Sequence, residues 1–396
     1  MSSIGALASG AGTSLRCLTW SHDDPDGWGC GPVVQMPGES EFPSPTLIDT
    51  SLGRPPAEPS LPAPGTGLPD EPPKRRRRRR KGRIIAVVAG SLVVLLVLLM
   101  VSLWFYADNS LHRVDAIDNY PGRPAGGAGT NWLIVGSDSR QGLSSAQVNR
   151  LHTGSEADAG GSRTDTIMLL HLPGNGTKPT MVSLLRDSSV EIPGQGRDKI
   201  NAAFSFGGAK LLVRTVEVNT GLRIDHYAEI GLGGFAGVVG DVGGVRMCLD
   251  QAVHDDYAGV NLPAGCQTLN GPDALGYVRS RHAFATSDFA RTEHQRQFVG
   301  ALAGKIMSPG VLLNPFRSIP AILDLPGALT VDHGAGLWDL ITLARHVRHF
   351  SNVISTAVPI AGSNGSDLLW DPTKAQQLFH DLNHDQTIPA GLITTH

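Results

Sequence analysis

The sequence has little of what characterises several classes of protein. Only four of its 396 residues are cysteine, too few for a small domain held together by disulfides. Its formal net charge is −3, so the chain as a whole lacks the basic signature of nucleic-acid binding. It contains no Walker A loop, HExxH helix or Gly-x-Ser-x-Gly elbow. The 41% of hydrophobic residues nevertheless excludes a wholly disordered chain.

A proline-rich segment precedes a long apolar run. Residues 1–83 hold 13 of the 27 prolines and show no helical or strand periodicity, so we expect a disordered, partly polyproline tail. From Ile84 to Trp104 the only residues that are not apolar are Gly90, Ser91 and Ser102. About 20 apolar residues match the hydrocarbon thickness of a bilayer. The pattern predicts one transmembrane helix over residues 84–106.

Charges flanking this run predict its orientation. Nine positive charges lie between Lys74 and Arg83. Because basic flanks stay on the cytoplasmic side, we expect a single-pass protein of the cell membrane with a cytoplasmic tail and an extracytoplasmic domain over residues 107–396. After Arg83 the chain carries 22 basic and 27 acidic residues, so an anion site there requires a local arginine cluster. No cytoplasmic partner of the tail is identifiable.

Cysteine positions agree with this topology. Cys248 and Cys266 lie 18 positions apart in the predicted exported domain, where an oxidising compartment permits a disulfide. Such a bridge would contribute about 3 kcal/mol in the chain-entropy model. The alternative is a pair of free buried thiols. Cys17 and Cys30, in the tail, are expected to stay reduced.

The exported part alternates strand-like and helix-like patterns. Strands are predicted at 132–135, 166–172, 181–185, 228–230 and 353–359, and helices at 210–219, 234–241, 272–278, 291–307, 337–350 and 373–383. This mixture predicts an α/β sandwich, in which helices flank a mixed central sheet.

Charged side chains gather at the ends of the predicted elements. Asp138 follows the first strand, Arg163 and Asp165 flank the start of the second, and Arg186 follows the third. A second cluster around two helices comprises Arg279, Arg281, Arg291 and Gln295. Taken singly, each residue is also a common strand or helix cap. As a set, two carboxylates suit Mg²⁺ shared with substrate phosphates, and arginine binds phosphate oxygens in pairs.

These segments resemble the LytR-CpsA-Psr family of bacterial cell-wall glycopolymer ligases. The similar segments, over residues 130–307, are NWLIVGSDSR (131–140), RTDTIML (163–169), SLLRD (183–187), KINAAFSFGG (199–208), GLRIDHY (221–227), DVGGVRMCL (241–249), LPAGCQTLNGPDALGYVRSRH (262–282) and DFARTEHQ (288–295). Two positions depart from the family pattern. Leu185 stands where proline is usual, and His294 stands where a second arginine is usual, which predicts a pH-dependent grip on phosphate.

The resemblance implies a phosphotransferase. Asp138 and Asp165 would hold Mg²⁺, with Mn²⁺ as a substitute, on the pyrophosphate of an undecaprenyl-linked glycan. The residues implied to grip the phosphate oxygens are Arg163, Arg186, Arg279, Arg281, Arg291 and Gln295. The prenyl chain would occupy an apolar tunnel between the sheet and its helices. The acceptor would be the C6 hydroxyl of a muramic acid in peptidoglycan, with Asp138 or Asp165 as the base.

Two other functions fit the same residues. A polyprenyl pyrophosphate phosphatase would use the same acidic and basic set with water as the acceptor. A membrane-anchored, non-catalytic regulator of the envelope would need none of these residues for chemistry.

Overall fold

The structure is a computed structural model that describes residues 75–140, 143–154, 164–280, 287–348 and 352–393. Its strands are β1 (His112–Val114), β2 (Thr130–Ser137), β3 (Thr164–Leu172), β4 (Thr180–Ser183), β5 (Ser189–Ile192), β6 (Gly196–Lys199), β7 (His226–Gly231), β8 (Val245–Leu249), β9 (Val253–Asp255), β10 (Val260–Leu262), β11 (Gly265–Leu269), β12 (Leu329–Asp332), β13 (Ile354–Ala357), β14 (Ile360–Asn364) and β15 (Asp367–Trp370). Its helices are α1 (Arg75–Ser110), α2 (Ser145–Arg150), α3 (Ile200–Thr220), α4 (Leu232–Asp241), α5 (Gly271–Arg279), α6 (Ser287–Ile306), α7 (Pro309–Leu312), α8 (Pro315–Asp324), α9 (Leu337–Val347) and α10 (Pro372–Asn383).

A mixed sheet lies at the centre of the part of the chain that follows α1. Among the described residues it has seven strands, in the order β1, β12, β7, β2, β3, β4, β13. The middle strand, β2, is parallel to β7 and antiparallel to β3. The outer strands β1 and β13 are parallel to their neighbours. This topology confirms the predicted α/β fold with a mixed central sheet.

Alternating side chains of the central strands build two different cores, because successive residues of a strand face opposite sides of the sheet. Leu133 of β2 and Ile167 of β3 pack with apolar side chains of α3 and α10. Their neighbours Trp132 and Met168 pack on the other face, under α6 and α9. A third cluster joins α4, α5 and α6 to the hairpins β8–β11 and β9–β10. Alternate residues of β2 and β3 therefore pack against the helices on opposite faces of the sheet.

Helix α1 has the length and composition of a single-pass membrane anchor. Residues Lys81–Ser110 are long and apolar enough to cross a membrane, and the apolar window is fully exposed. The helix begins at Arg75, so the last nine residues of the predicted tail, 75–83, are helical rather than disordered. The remainder of the predicted tail, residues 1–74, lies outside the described residues.

Two further helices begin earlier than the sequence predicts. Helix α3 begins at Ile200 and not at Lys210, with an interruption at Gly207 and Gly208. Gly208 has φ 61°, a backbone conformation that glycine adopts without steric cost, and the break hides the helical period of the first half. Helix α6 begins at Ser287, four residues before the predicted start at Arg291.

The predicted disulfide is present. Cys248 on β8 and Cys266 on β11 are directly opposite each other in the antiparallel pair and are joined by a disulfide. The bridge links the two strands of a small sheet, and helices α5 and α6 pack against this sheet. The alternative of two free thiols is thereby excluded.

Candidate active site

An apolar cleft lies between the sheet and helices α4, α5 and α6. Its volume is about 100 Å³. The apolar side chains that line it are Ile134, Met168, Ile230, Leu232, Phe235, Leu275, Val278, Phe298 and Val299. Four of the residues predicted from the sequence as site residues line the same cleft, namely Asp138, Asp165, Arg279 and Gln295. The cleft therefore combines an apolar interior with acidic and basic groups.

A β-bulge turns Asp165 toward the cleft. Gly136 pairs with Thr166, whereas the next residue of β2, Ser137, pairs with Thr164, so Asp165 is an extra residue of β3. Strict alternation would turn Asp165 to the same side of the sheet as Ile167, away from the cleft. In the structure Asp165 and Thr166 both line the cleft. The bulge brings Asp165 to the side on which Asp138 lies.

The loop that carries Asp138 packs tightly on the end of β7. A Cβ atom at Gly231 would lie 3.1 Å from the carbonyl oxygen of Ser139. The backbone N–H of Leu232 donates a hydrogen bond to that same oxygen, at 3.2 Å. A side chain at position 231 would therefore crowd the loop after β2 where it approaches the start of α4.

Arg140 holds the same loop from the other side. Its Nη1 donates to the carbonyl oxygen of Asp138 at 3.2 Å, and its Nε and Nη2 donate to the carbonyl oxygen of Thr153 at 3.0 and 2.6 Å. Arg140 was not predicted as a site residue. It positions Asp138 by tying its backbone to the segment after α2, and its place in the motif NWLIVGSDSR is the signal that could have revealed it.

Arg186 links two acidic residues of the site. Its Nη1 donates to Asp165 Oδ1 at 2.7 Å, and its Nε donates to Asp187 Oδ2 at 3.2 Å. Lys199 Nζ contacts the other oxygen of Asp187 at 2.8 Å. The result is a chain of alternating charges from Asp165 to Lys199, which restricts the guanidinium to one orientation.

The electrostatic surroundings of Asp187 favour its ionised form. Burial alone would raise the pKa of Asp187, but the hydrogen bond from Lys199 and the charges of Arg186 and Lys199 outweigh burial and hold that pKa below its ordinary value. Neither Asp187 nor Lys199 was predicted as a site residue. Both lie inside the family motifs quoted above. Asp187 directly follows Arg186 in the sequence, and the fold brings Lys199 to Asp187 from 12 positions away.

The remaining predicted residues lie at different places in and around the cleft. Arg279 lines the cleft at the end of α5, and its Nη1 donates to the carbonyl oxygen of His152 at 3.3 Å. Gln295 is buried, and its side-chain amide donates to the carbonyl oxygen of Val278 at 3.0 Å, which joins α6 to α5. Arg291 lies on α6.

Two predicted arginines, Arg163 and Arg281, lie outside the described residues. His294, the position where the family usually has arginine, stacks on the ring of Tyr277 with centroids 4.7 Å apart. It is not among the described residues that line the cleft.

Several buried hydroxyl groups lie near the predicted site residues in the chain. Within the described part of the chain, four of them have no hydrogen-bond partner, namely those of Ser137, Thr164, Ser183 and Ser188. The first three are terminal residues of β2, β3 and β4, and Ser188 directly precedes β5. Buried polar groups are rarely left unpaired in native proteins, and exceptions are characteristic of functional sites.

The residues present fit a divalent cation that is shared with a substrate. Among the described residues, no cluster of three or more His, Cys, Asp or Glu side chains could enclose a metal ion. Asp138 and Asp165 line one cleft and supply carboxylate oxygens. Mg²⁺ is commonly held by one or two carboxylates together with substrate phosphates and water, so this pair is sufficient.

Comparison with known proteins extends over the same region. The probable cell wall biosynthesis protein LcpB of Corynebacterium glutamicum is 49% identical over 287 residues, which make up 72% of this chain and 67% of that protein. The polyisoprenyl-teichoic acid–peptidoglycan teichoic acid transferase TagU of Enterococcus faecalis is 33% identical over 175 residues, 44% of this chain and 57% of that protein. The matched region thus leaves a third or more of each relative uncovered.

A solved structure has the same fold. The LytR-Csp2A-Psr enzyme from Actinomyces oris superposes with a TM-score of 0.53 over 69% of this chain and 96% of that one, at 23% identity. The profile of the LytR_cpsA_psr family matches residues 109–383, an interval that contains the central sheet and every described residue of the cleft. The match covers more than half of the chain, and on that ground the chain belongs to the LytR_cpsA_psr family.

Proposed function

We propose that this chain transfers a glycopolymer from a polyprenyl-pyrophosphate carrier to peptidoglycan. The carrier is undecaprenyl pyrophosphate, and the acceptor is the C6 hydroxyl of a muramic acid. The observation that carries the proposal is the convergence of Asp138, Asp165 and Arg279 on one apolar cleft, with Arg186 paired to Asp165. The name of the relative TagU, a teichoic acid transferase, supports the same class of reaction.

The cleft offers complementary chemistry to the two halves of such a substrate. The apolar walls suit a prenyl chain, which loses contact with water when it enters. Arg186 and Arg279 suit the charged oxygens of the pyrophosphate, because guanidinium groups donate paired hydrogen bonds to phosphate. Asp187 and Lys199 keep Arg186 in place, so that little reorganisation accompanies the reaction.

The reaction exchanges one bond to phosphorus for another. The acceptor hydroxyl oxygen forms a bond to the sugar-side phosphorus, the bond from that phosphorus to the polyprenyl phosphate oxygen breaks, and polyprenyl phosphate leaves. The hydroxyl proton passes to a carboxylate oxygen of Asp138 or Asp165. Arg186 and Arg279 neutralise the negative charge that accumulates on the phosphate oxygens.

Asp138 and Asp165 would also hold Mg²⁺, or Mn²⁺ in its place, against the pyrophosphate. When bound, the ion supplies charge neutralisation and polarises the phosphorus centre. The unpartnered hydroxyl of Ser137, which lines the cleft, is a further polar group available to the substrate or its water.

The proposal includes a membrane topology. Helix α1 spans the cell membrane, the N-terminal tail is cytoplasmic, and residues 107–396 lie outside with access to lipid-linked substrates and peptidoglycan. The nine positive charges before the apolar run support this orientation.

Reconstitution tests the function directly. The full chain in proteoliposomes is given a radiolabelled lipid-linked glycan with Mg²⁺, with and without peptidoglycan chains. We expect label in peptidoglycan and release of polyprenyl phosphate only when the acceptor is present. If phosphorylated glycan were released equally with and without peptidoglycan chains, the reaction would be hydrolysis and not transfer. The absence of any turnover in the presence of both substrates would favour a non-catalytic role.

A further inference from the structure

An exposed apolar ridge lies on the exported part of the chain. It is formed by Leu312, Leu313, Phe316 and Ile319, from the end of α7 and one face of α8. Leu313 is 82% exposed and Phe316 is 87% exposed, values that are unusual for large apolar side chains of a soluble domain. The surrounding segment, residues 309–323, contains one charged residue, Arg317, and no acidic residue.

The ridge is held beside the apolar helix α1. Helices α8 and α9 both pack against α1. Trp338, at the start of α9, contacts Trp104 of α1 with ring centroids 6.2 Å apart. Asp108 Oδ1 accepts a hydrogen bond from the backbone N–H of Leu337 at 2.9 Å.

The last turn of α1 belongs to the fold of the exported part. Ala107 and Leu111 are buried, and Leu111 belongs to the core between the sheet and helices α6 and α9. The anchor and α8 therefore have a defined relation and are not joined by a loose linker.

The length of α1 indicates the depth of this contact. At 1.5 Å per residue, the 21 residues from Ile84 to Trp104 extend about 30 Å, the thickness of the hydrocarbon layer. Trp104 then lies at the membrane–water interface, where tryptophan is enriched. Trp338 contacts it and must lie at a similar level.

We propose that the ridge inserts into the outer leaflet, with α8 lying in the plane of the headgroup boundary and Leu313 and Phe316 among the acyl chains. Its occupant is lipid, because α8, which carries the ridge, packs against a helix that is itself long and apolar enough to span the bilayer. Amphipathic helices with a large apolar face bind membranes in this way. This inference rests on the membrane topology proposed above.

Insertion of the ridge would place the apolar cleft next to the bilayer. Helix α4 contributes Leu232 and Phe235 to the cleft wall, and α8 packs directly on α4. A prenyl chain could then pass from the leaflet into the cleft without crossing open water. The ridge thus orients the exported domain for a lipid-borne substrate.

Spin labels in the full chain test the depth. Cys17→Ser and Cys30→Ser leave only the Cys248–Cys266 disulfide, and single cysteines are then introduced as Leu313→Cys or Phe316→Cys, labelled with a nitroxide and reconstituted in liposomes. Phe206→Cys is the matched control, because Phe206 is a half-exposed phenylalanine on α3, at the opposite face of the sheet. Leu95→Cys, within α1, is the reference for the bilayer interior.

The measured quantity is the ratio of the collision rate with oxygen to the collision rate with a water-soluble nickel chelate. We expect this ratio to be several-fold higher for the labels at 313 and 316 than for the label at 206. Equal values at 316 and 206, with a lipid-like value at 95, would overturn the ridge alone. A water-like value at 95 would overturn the topology as well. Strong dipolar broadening of the nitroxide spectrum at 316, with no increase in the ratio of oxygen to nickel collisions, would show that the ridge contacts a second copy of the chain. That result would overturn lipid insertion.

Discussion

Replacement of Arg186 by alanine is the most direct test of the site. The substitution removes the 2.7 Å contact with Asp165 and the 3.2 Å contact with Asp187, and leaves the Asp187–Lys199 pair in place. The side chains involved are 16 to 27% exposed, so solvent screens these contacts partly. Each is worth about 1 kcal/mol under these conditions, and we expect the free energy of unfolding to fall by about 2 kcal/mol.

The expected loss of activity is larger than the loss of stability. Removal of one preorganised group that stabilises developing charge typically reduces the catalytic rate by about 10²–10³-fold, or about 2.7–4 kcal/mol. A domain with an ordinary stability of about 5–15 kcal/mol remains folded after losing about 2 kcal/mol. Arg186→Lys retains the charge but cannot contact both carboxylates in the same geometry, so we expect an intermediate loss of about 10-fold.

The assay is transfer of labelled glycan to peptidoglycan by the reconstituted chain, with urea unfolding of the same variants measured in parallel. Arg246→Ala is the matched control, because Arg246 is an exposed arginine on β8, whereas Arg186 contacts Asp165, a residue that lines the cleft. If folded Arg186→Ala retained more than about a tenth of the parental activity, the role assigned to this arginine in stabilising charge would be refuted.

Three further substitutions probe the positioning of the site, the disulfide and the effect of pH. Gly231→Ala places a Cβ 3.1 Å from the carbonyl oxygen of Ser139, so the loop that carries the first acidic residue must shift, and we expect about a 10-fold loss of transfer activity with a small change in stability. Cys248→Ser removes the bridge to Cys266, and we expect the free energy of unfolding to fall by about 3 kcal/mol under oxidising conditions. Asp187→Asn removes a carboxylate whose folded-state pKa is depressed, so the stability difference from the parent should be full above about pH 4 and disappear as the pH falls through the lower, folded-state pKa.

Each of these has a control and a contrary outcome. Gly237→Ala on α4 meets no atom within 4 Å and should not reduce activity, so equal losses at 231 and 237 would contradict the steric explanation. Under strong reductant the parent and Cys248→Ser should unfold alike, and a persistent difference would assign the effect to packing. A stability difference at Asp187 that is constant from pH 3 to pH 7 would show that ion pairing is not its source.

The proposed binding of a strongly anionic group does not require a net positive charge in the part of the chain after α1. The cations of the site are held by acidic neighbours that also fix their geometry, as in the series Asp165, Arg186, Asp187 and Lys199. Such a series has little net charge and therefore generates little long-range attraction. The series contributes by fixing the orientation of Arg186, because phosphoryl transfer depends more on the positioning of such groups than on the net charge of the protein.

Much of the fold could be predicted from local patterns. The apolar runs of β2, β3 and α1 and the periodicity of α9 and α10 depend on neighbouring residues, and each was identified in the correct place. The start of α3 was predicted ten residues late, because Gly207 and Gly208 interrupt its helical period. Strands β1 and β12 were not predicted, since each is short and is defined by its pairing, β1 with β12 and β12 also with β7.

The candidate site was predictable in composition and not in geometry. The motifs indicated Asp138, Asp165, Arg186, Arg279 and Gln295 as a set, and the resemblance to a family strengthened that prediction. Gln295 was expected to hold phosphate, yet its amide donates to a backbone carbonyl and joins two helices. That contact links residues 17 positions apart, and no pattern along the chain specifies it.

The sequence by itself determined the apolar helix with its basic flank, the alternating strands and the order of the acidic and basic motifs, because these depend on residue type and short-range spacing. The tertiary structure decided which groups meet. Asp165 faces the cleft only because a β-bulge adds one residue to β3 relative to β2. Arg186 donates a hydrogen bond to Asp165 although the two residues are 21 positions apart in the chain. The tertiary structure also decided that α8, which carries the ridge, packs against α1 and that Trp338 of α9 contacts Trp104 of α1, since both contacts join distant segments of the chain. Register and packing arise from contacts between distant segments, and local preference carries no information about them.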